Sequence, residues 1–433
     1  MSVKKRLQRL TGEHPPDNAQ SERQRQINDL RRRVEAIMSR RPEQKPAHSA
    51  VLRGNPLDLQ DVIDGEEIEN AHGHCFLVHR ETEASAYHGH RCIGELSTVD
   101  MESASLLANN PEIAACNFTE GLFLDTETTG LSGGTGTFAF LIGLGWFEDE
   151  SFVTQQIFAR DFSEERACLV FLKEVARNKR FLITFNGKSF DVGLLTTRFI
   201  MNRLSDPLSD LPHLDLLHPS RRMLGHRLDN SRLVTLERDV LGLRRRGDIP
   251  GSEIPQRYFD WLRQRDGRLM EDIFEHNRLD VISMATLTVH LAELLSSEID
   301  MEYTNQSDLL AAARLFNERG YDEEAERFLG SLMYSDDRYI ASDAGKMLSL
   351  IYKRTGRWDD AMEIWGKMLM DDPCDIFAVE ELAKCYEHRE HDFERALSLV
   401  TRFLETIRRT TDTERNALIH RLNRLQRRLS IKG

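Results

Sequence analysis

Gly121-Leu122-Phe123-Leu124-Asp125-Thr126-Glu127-Thr128-Thr129-Gly130 is an apolar run that ends in two carboxylates, where a buried strand ordinarily holds no charge. If residues 122–127 form a strand, alternation sends Asp125 and Glu127 to one face with a single residue of the opposite face between them. Two close like charges need a counter-cation. Carboxylate oxygens are hard ligands that suit Mg²⁺ or Mn²⁺, and an uncompensated buried pair would either be costly or take up a proton. A strand end with two solvated acids carries the same short string, so the pair needs further acids before it specifies a site.

The sequence around this run sets the fold. Residues 121–127, 138–147 and 152–158 read as three strands with short links, an antiparallel meander interrupted by a Gly-rich turn at 130–136. Ser163-Glu164-Glu165-Arg166 opens a helix to about residue 178, whose apolar face is Ala167, Leu169, Val170, Leu172 and Val175. A buried strand at 181–185, a helix at 189–202, a strand at 213–217 and, after a less regular stretch, a long helix at 269–295 complete the series. Three meander strands, helix, strand, helix, strand is the order of an α/β ribonuclease-H-like mixed sheet with flanking helices.

The rest of the 433 residues divides around that core. Residues 1–48 form an arm with about twelve Lys/Arg against about six Asp/Glu, although the whole chain carries a formal charge of −13. Ile27, Leu30, Val34 and Ile37 recur there at helical spacing, predicting an amphipathic helix with Arg31, Arg32 and Arg33 nearby, either docked on the body or touching phosphates. Residues 49–115 read as a small β-rich preface with a concentration of histidines (His72, His74, His79, His88, His90). Their spacing departs from that of ordinary zinc sites. The core spans 116–298. From 305 to 430 paired helices recur with a period of roughly 35, marked by Ala325, Ala361 and Ala396. Leu348, Tyr352, Gly356, Ala361, Trp365 and Pro373 fall at offsets that resemble a tetratricopeptide repeat, an all-α module that would dock a protein partner. The net charge argues against wholesale coating of nucleic acid. No membrane span or secretory signal is evident, and six cysteines without Cys-x-x-Cys fit reduced thiols, so a cytoplasmic location is expected.

Two further segments carry acids toward the first pair. In Asn186-Gly187-Lys188-Ser189-Phe190-Asp191 the aspartate falls in the first turn of a helix that follows a buried strand, where it could equally be an acid facing the helix dipole. In Glu275-His276-Asn277-Arg278-Leu279-Asp280 the histidine and final aspartate stand at i and i+4, on one helix face.

In that order the three segments resemble the exonuclease motifs of the DEDD superfamily of 3′-to-5′ exonucleases. The strings at 124–130, 184–191 and 213–219 look like the YprB-type ribonuclease-H-like family, over about residues 116–298. The resemblance implies a divalent-metal-dependent 3′-to-5′ exonuclease acting on DNA or RNA with two ions of Mg²⁺ or Mn²⁺. Asp125 would bridge the ions, Glu127 and Asp280 would complete one site, and Asp191 would hold the second. His276 would be the general base or orient the attacking water, with substrate contacts from Thr128, Asn186 and Lys188. The spacing departs from the family in one respect: the histidine class places its base five residues before the last aspartate, and His276 sits four before, the tyrosine-class position. Asp248-Ile249-Pro250-Gly251 also matches the family, with a substrate-side loop as its expected role. Two other functions fit the same sequence: a tetratricopeptide adaptor with a weak or inactive nuclease fold, and a structure-specific endonuclease.

Overall fold

A computed structural model describes residues 54–130, 136–406 and 412–432. The basic arm and its expected helix, and most of the Gly-rich turn, lie outside the described residues. The chain divides into two units: one holds the chain up to Leu217 together with Arg232–Val289, the other His218–Ser231 and the chain from His290 onward.

The first unit is built on strands β1 (Glu66–Asn70), β2 (Gly73–Glu83), β5 (Gly121–Thr128), β6 (Ala139–Glu148), β7 (Ser151–Phe158), β8 (Phe181–Thr184) and β9 (His213–Asp215), with Tyr87–His88 (β3) and Arg91–Cys92 (β4) paired apart. The main sheet runs β1-β2-β7-β6-β5-β8-β9. β5 pairs antiparallel with β6 and parallel with β8, so it is the point where the sheet changes sense. The meander, the helix-linked β8 and β9, and their order agree with the ribonuclease-H-like reading. β6 is buried along nearly its whole length and β8 throughout, which is why both appear in the sequence as unbroken apolar runs.

The preface at 49–115 is not a separate body. β2 pairs with β7 from Phe76↔Phe158 to Glu83↔Ser151, and β1 pairs outside it, so both strands extend the same sheet. Cys75, Phe76, Leu77 and Val78 are all buried, a run without alternation that gives no sign of which sheet it joins. The histidines of this segment disperse to different partners. His74 lies 3.4 Å from Glu67 and His79 3.3 Å from Glu81, while buried His88 lies 2.7 Å from the Ser283 hydroxyl.

Helices α1 (Met101–Ala108), α2 (Glu165–Ala176), α3 (Asp191–Met201), α4 (Leu217–Leu224), α5 (Ile254–Gln264) and α6 (Glu271–Glu293) follow in order. The start of α2 differs from expectation: Asp161, through a 3₁₀ turn at Phe162–Glu164, supplies the capping carboxylate. The irregular stretch before α6 contains α5, whose Pro255 is tolerated in the first turn, and a π-helical turn at Glu237–Leu241. Tyr258 of α5 stacks on Phe140 of β6 at 4.0 Å between ring centroids, and Phe274 of α6 meets Phe158 of β7 edge-on at 5.3 Å. These ring contacts fix α5 and α6 on the sheet face that carries the acids.

The second unit takes in α4 from His218 onward and then α7 (Gln306–Arg319), α8 (Asp322–Leu332), α9 (Arg338–Arg354), α10 (Trp358–Asp371), α11 (Ile376–His388), α12 (Phe393–Thr406) and α13 (Asp412–Lys432), the last seven each packed on its neighbour in sequence. Ala325, Ala361 and Ala396 are each the fourth residue of α8, α10 and α12, and each is fully buried. Among the described residues, no helix is long and apolar enough to cross a membrane.

Candidate active site

β5 delivers the first two acids. Asp125 lies opposite Gly143 of β6 and Glu127 opposite Leu141, with the register shifting just after Glu127, where Thr128 begins to leave the ladder. Gly143 is what lets α6 approach. A Cβ on it would fall 2.3 Å from Asn277 Oδ1 and 2.6 Å from Nδ2, so only glycine leaves room for this side chain above the strand. Asn277, fully buried, donates from Nδ2 to Asp125 Oδ2 at 2.8 Å, and its own Oδ1 accepts from Gln156 Nε2 at 2.8 Å. Gln156 is locked in turn by donating to the Phe274 carbonyl at 2.7 Å. The amide aimed at Asp125 is thus fixed by a second amide.

Asp191 arrives on the turn between β8 and α3. Asp215, at the end of β9, accepts backbone N–H bonds from Asn186 (2.7 Å), Lys188 (3.0 Å) and Leu217 (3.1 Å) and so ties this turn down. Asn186 takes φ +69°, a left-handed conformation that asparagine tolerates better than most residues. Its place in the motif therefore has a backbone reason as well as any substrate role. Asp191 is the first residue of α3, and the Thr126 hydroxyl donates a short hydrogen bond to its Oδ1. The Lys188 and Phe190 side chains are exposed beside it, and the Thr128 hydroxyl is spent on the Gly130 carbonyl at 2.8 Å.

α6 carries the last two. His276 Nε2 lies 3.9 Å from Glu127 Oε1 and 3.7 Å from Asp280 Oδ2, while His276 Nδ1 is 2.7 Å from Asp248 Oδ1. Asp248 was expected on a substrate-side loop. It instead meets the far side of the imidazole, fixing the ring so that Nε2 faces the acids. Arg245, also unforeseen, donates to Asp280 Oδ1 and to both oxygens of buried Glu237, and reaches Asp248 Oδ2 at 3.3 Å.

The electrostatics follow from this crowding. Burial first, then the charges of Asp280 and Asp191, hold the Asp125 carboxyl well above its usual range. Burial, then Asp125 and Asp280, do the same to Glu127. Burial lifts Asp191 to about 6, against the opposing bond from Thr126. For His276 burial works downward, but the Asp248 hydrogen bond and the Asp280 charge outweigh it and the pKa is raised. Asp248 responds in the opposite sense: burial disfavours its charge, His276 favours it more, and its pKa falls. The two shifts are reciprocal: Asp248 makes the imidazole more basic, and His276 makes the carboxyl more acidic.

Asp125, Asp191 and Asp280 all raise the pKa of Glu127, and Asp280, Asp248 and Glu237 share the Arg245 guanidinium, so the cluster is a set of hard oxygen donors with one guanidinium and one imidazole beside it. That composition fits divalent cations. Among the described residues no three His, Cys, Asp or Glu side chains are arranged to hold a metal ion as they stand. Arg245 engages Oδ1 of Asp280 and the Thr126 hydroxyl engages Oδ1 of Asp191, so each acid is held through a defined oxygen. The acids are recessed without being sealed: side-chain exposure is 13% for Glu127 and 18% for Asp280, enough for a small ion to reach them.

The profile of the RNase_H superfamily matches residues 122–292, the segment that contributes every acid of the site. Over 365 residues the chain is 32% identical to the uncharacterized protein YprB of Bacillus subtilis (strain 168), an alignment spanning 82% of this chain and 87% of that one. The chain belongs to the YprB family of RNase-H-like proteins.

Proposed function

We propose that this protein is a divalent-metal-dependent nuclease that removes nucleotides from a 3′ end. The observation that carries the reading is the convergence of Asp125, Glu127, Asp191 and Asp280, from three separate segments, into one cluster in which Glu127 and Asp280 flank the Nε2 of a histidine whose Nδ1 is held by a carboxylate. Two ions of Mg²⁺ or Mn²⁺ held by these four acids would supply Lewis-acid polarisation of the phosphoryl group and neutralise the charge that develops in the transition state. Asn277 fixes the orientation of Asp125, and Thr126 that of Asp191. His276 Nε2 takes a proton from the attacking water, whose oxygen forms the new bond to phosphorus while the bond from phosphorus to the 3′ oxygen breaks. The departing oxygen takes its proton from solvent. Asp248 stabilises the imidazolium as it forms, which supports a base role for His276 despite the four-residue spacing. Asn186, Lys188 and Thr128 flank the position of the terminal nucleotide, and the half-exposed Phe190 ring offers it a stacking surface.

The helical hairpins of the second unit are read as tetratricopeptide-like, with Ala325, Ala361 and Ala396 as their small interlocking residues. The test is incubation of 5′-labelled single- and double-stranded DNA and RNA with Mn²⁺, Mg²⁺ or chelator. A metal-dependent ladder of single-nucleotide steps is expected. Discrete internal products would replace the exonuclease with an endonuclease, and no metal-dependent loss would leave an adaptor.

A further inference from the structure

We propose that Arg245 is a positioning residue for the proposed metal site, a fixed clamp that sets the orientation of Asp280 and steadies the Asp248–His276 pair. The inference rests on the reading of Asp280 as a metal ligand. Its guanidinium is almost entirely buried, with 3% side-chain exposure, and touches every acidic group on the α6 side of the site. Nε and Nη2 hold the two oxygens of Glu237, the Nε bond at 2.8 Å. Nη2 also donates to Asp280 Oδ1, while Nη1 lies 3.3 Å from Asp248 Oδ2 and 3.4 Å from His276 Nδ1.

An arginine in this place could have either of two roles: a stand-in cation that must leave before metal enters, or a fixture that stays. Its anchor decides between them. Glu237 is 1% exposed, grips the guanidinium through both oxygens and accepts a short bond from the Ser283 hydroxyl, which lies 2.7 Å from the buried His88 ring. An arginine that had to swing away would leave a buried carboxylate without its charge partner, a large cost. Held there, it occupies Oδ1 of Asp280 and leaves Oδ2 facing His276 Nε2, the direction from which an ion shared with Glu127 would bind. A planar fork can hold two carboxylates at a fixed angle, and an ammonium cannot.

Charge and geometry separate cleanly in one variant. Arg245→Met combined with Glu237→Gln removes one positive and one negative charge, so any change in metal affinity reports orientation. Calorimetric titration of the full-length protein with Mn²⁺, without substrate, is the measurement, with Arg245→Lys as the conservative companion. Supporting ligand-orienting partners typically govern ~10- to 100-fold in metal affinity, and a loss in that range is expected for the double variant, with a smaller loss for Arg245→Lys. In turnover assays the loss should appear in kcat more than in KM for substrate. Unchanged or tighter Mn²⁺ binding in both variants, beside normal wild-type binding, overturns the clamp and leaves the metal site intact. Absence of Mn²⁺ binding by the wild type overturns the metal reading and the clamp with it. If the double variant fails to fold, the titration of Arg245→Lys decides.

Discussion

Asp248→Asn isolates the chemistry of His276 from metal binding. The carboxylate contacts Nδ1 at 2.7 Å and keeps 19% of its side chain exposed, so it stands behind the imidazole and outside the four acids proposed to hold metal. A hydrogen bond to a charged partner contributes about 1.5–3 kcal/mol, and each ~1.4 kcal/mol lost from the transition state is a factor of about ten. If the pair forms its full charge only as His276 takes the proton, kcat should fall about 10- to 100-fold. An asparagine can also present its NH₂ group to Nδ1, which forces the proton onto Nε2 and removes the base; that error would drive the loss to the upper end. The assay is single-turnover cleavage of a 5′-labelled strand at saturating Mn²⁺, with Mn²⁺ affinity and unfolding midpoint measured beside it. Both controls should stay close to wild type. A wild-type rate would refute the dyad, and an equally large loss of metal affinity would mean that Asp248 acts through the ligands.

Asp125→Ala should abolish metal-dependent cleavage, whereas His276→Ala should leave a trace, read in the same assay. Asp125→Asn should raise the unfolding midpoint in chelator, since it removes a carboxylate whose charged form is disfavoured by burial and by Asp280 and Asp191. The folded-state pKa values of Asp125, Glu127 and Asp191 are raised, the last to about 6, so their contribution to stability is fully present below the unfolded carboxylate values and is lost as pH rises. Metal-free protein should therefore lose stability from about pH 4 to beyond pH 6 in thermal scans, and saturating Mn²⁺ should remove that slope. Gly143→Ala forces Asn277 off Asp125 and should cost about 1–3 kcal/mol in denaturant unfolding together with most of the activity. In the second unit, fully buried Glu387 is held by Arg421 and Arg424 at 2.7–2.8 Å; Glu387→Gln should destabilise by about 1–3 kcal/mol, discounted because Arg424 is 40% exposed.

What could be read from the sequence, and what could not, divides by the distance over which each signal acts. β5, β6 and β8 are legible because burial on both faces writes each one as a local apolar run, and Asp125 and Glu127 are legible because they break such a run. Asp191 and the His276–Asp280 pair are legible for a similar reason: one follows a buried strand at a helix start, the other repeats at one helical turn. β1 and β2 read as a body of their own because the pairing of β2 with β7 joins residues as far apart as Phe76 and Phe158, and nothing within the strand states its partner. The residues that support the acids are hidden for the same reason. Asn277 reaches Asp125 across 152 positions, and Gln156 reaches Asn277 across 121. A polar residue on a helix face looks the same whether it meets water or a buried carboxylate. Gly143 was the available clue, since a glycine inside a continuous apolar strand signals another chain segment passing close above it.

Four of the five side chains proposed for the chemistry have a partner that fixes them, and none of those partners is an acid or base that the three motifs single out. Asn277 serves Asp125, Thr126 serves Asp191, Asp248 serves His276, and Arg245 serves Asp280. Two of the four lie within 245–248, in the irregular stretch between β9 and α6 that lacks periodicity to read. Regular structure there would hold these two groups at the spacing of a helix or strand, whereas the site needs one to pass behind an imidazole and the other to reach a buried glutamate. The π-helical turn at Glu237–Leu241 and the loop after it supply that freedom while Glu237, Ser283 and His88 restrain it from behind. Four acids proposed to share metal ions have to be held in place when no ion balances their charge. Arg245 and Thr126 each engage one oxygen of the acid they hold, which is the arrangement that requirement selects.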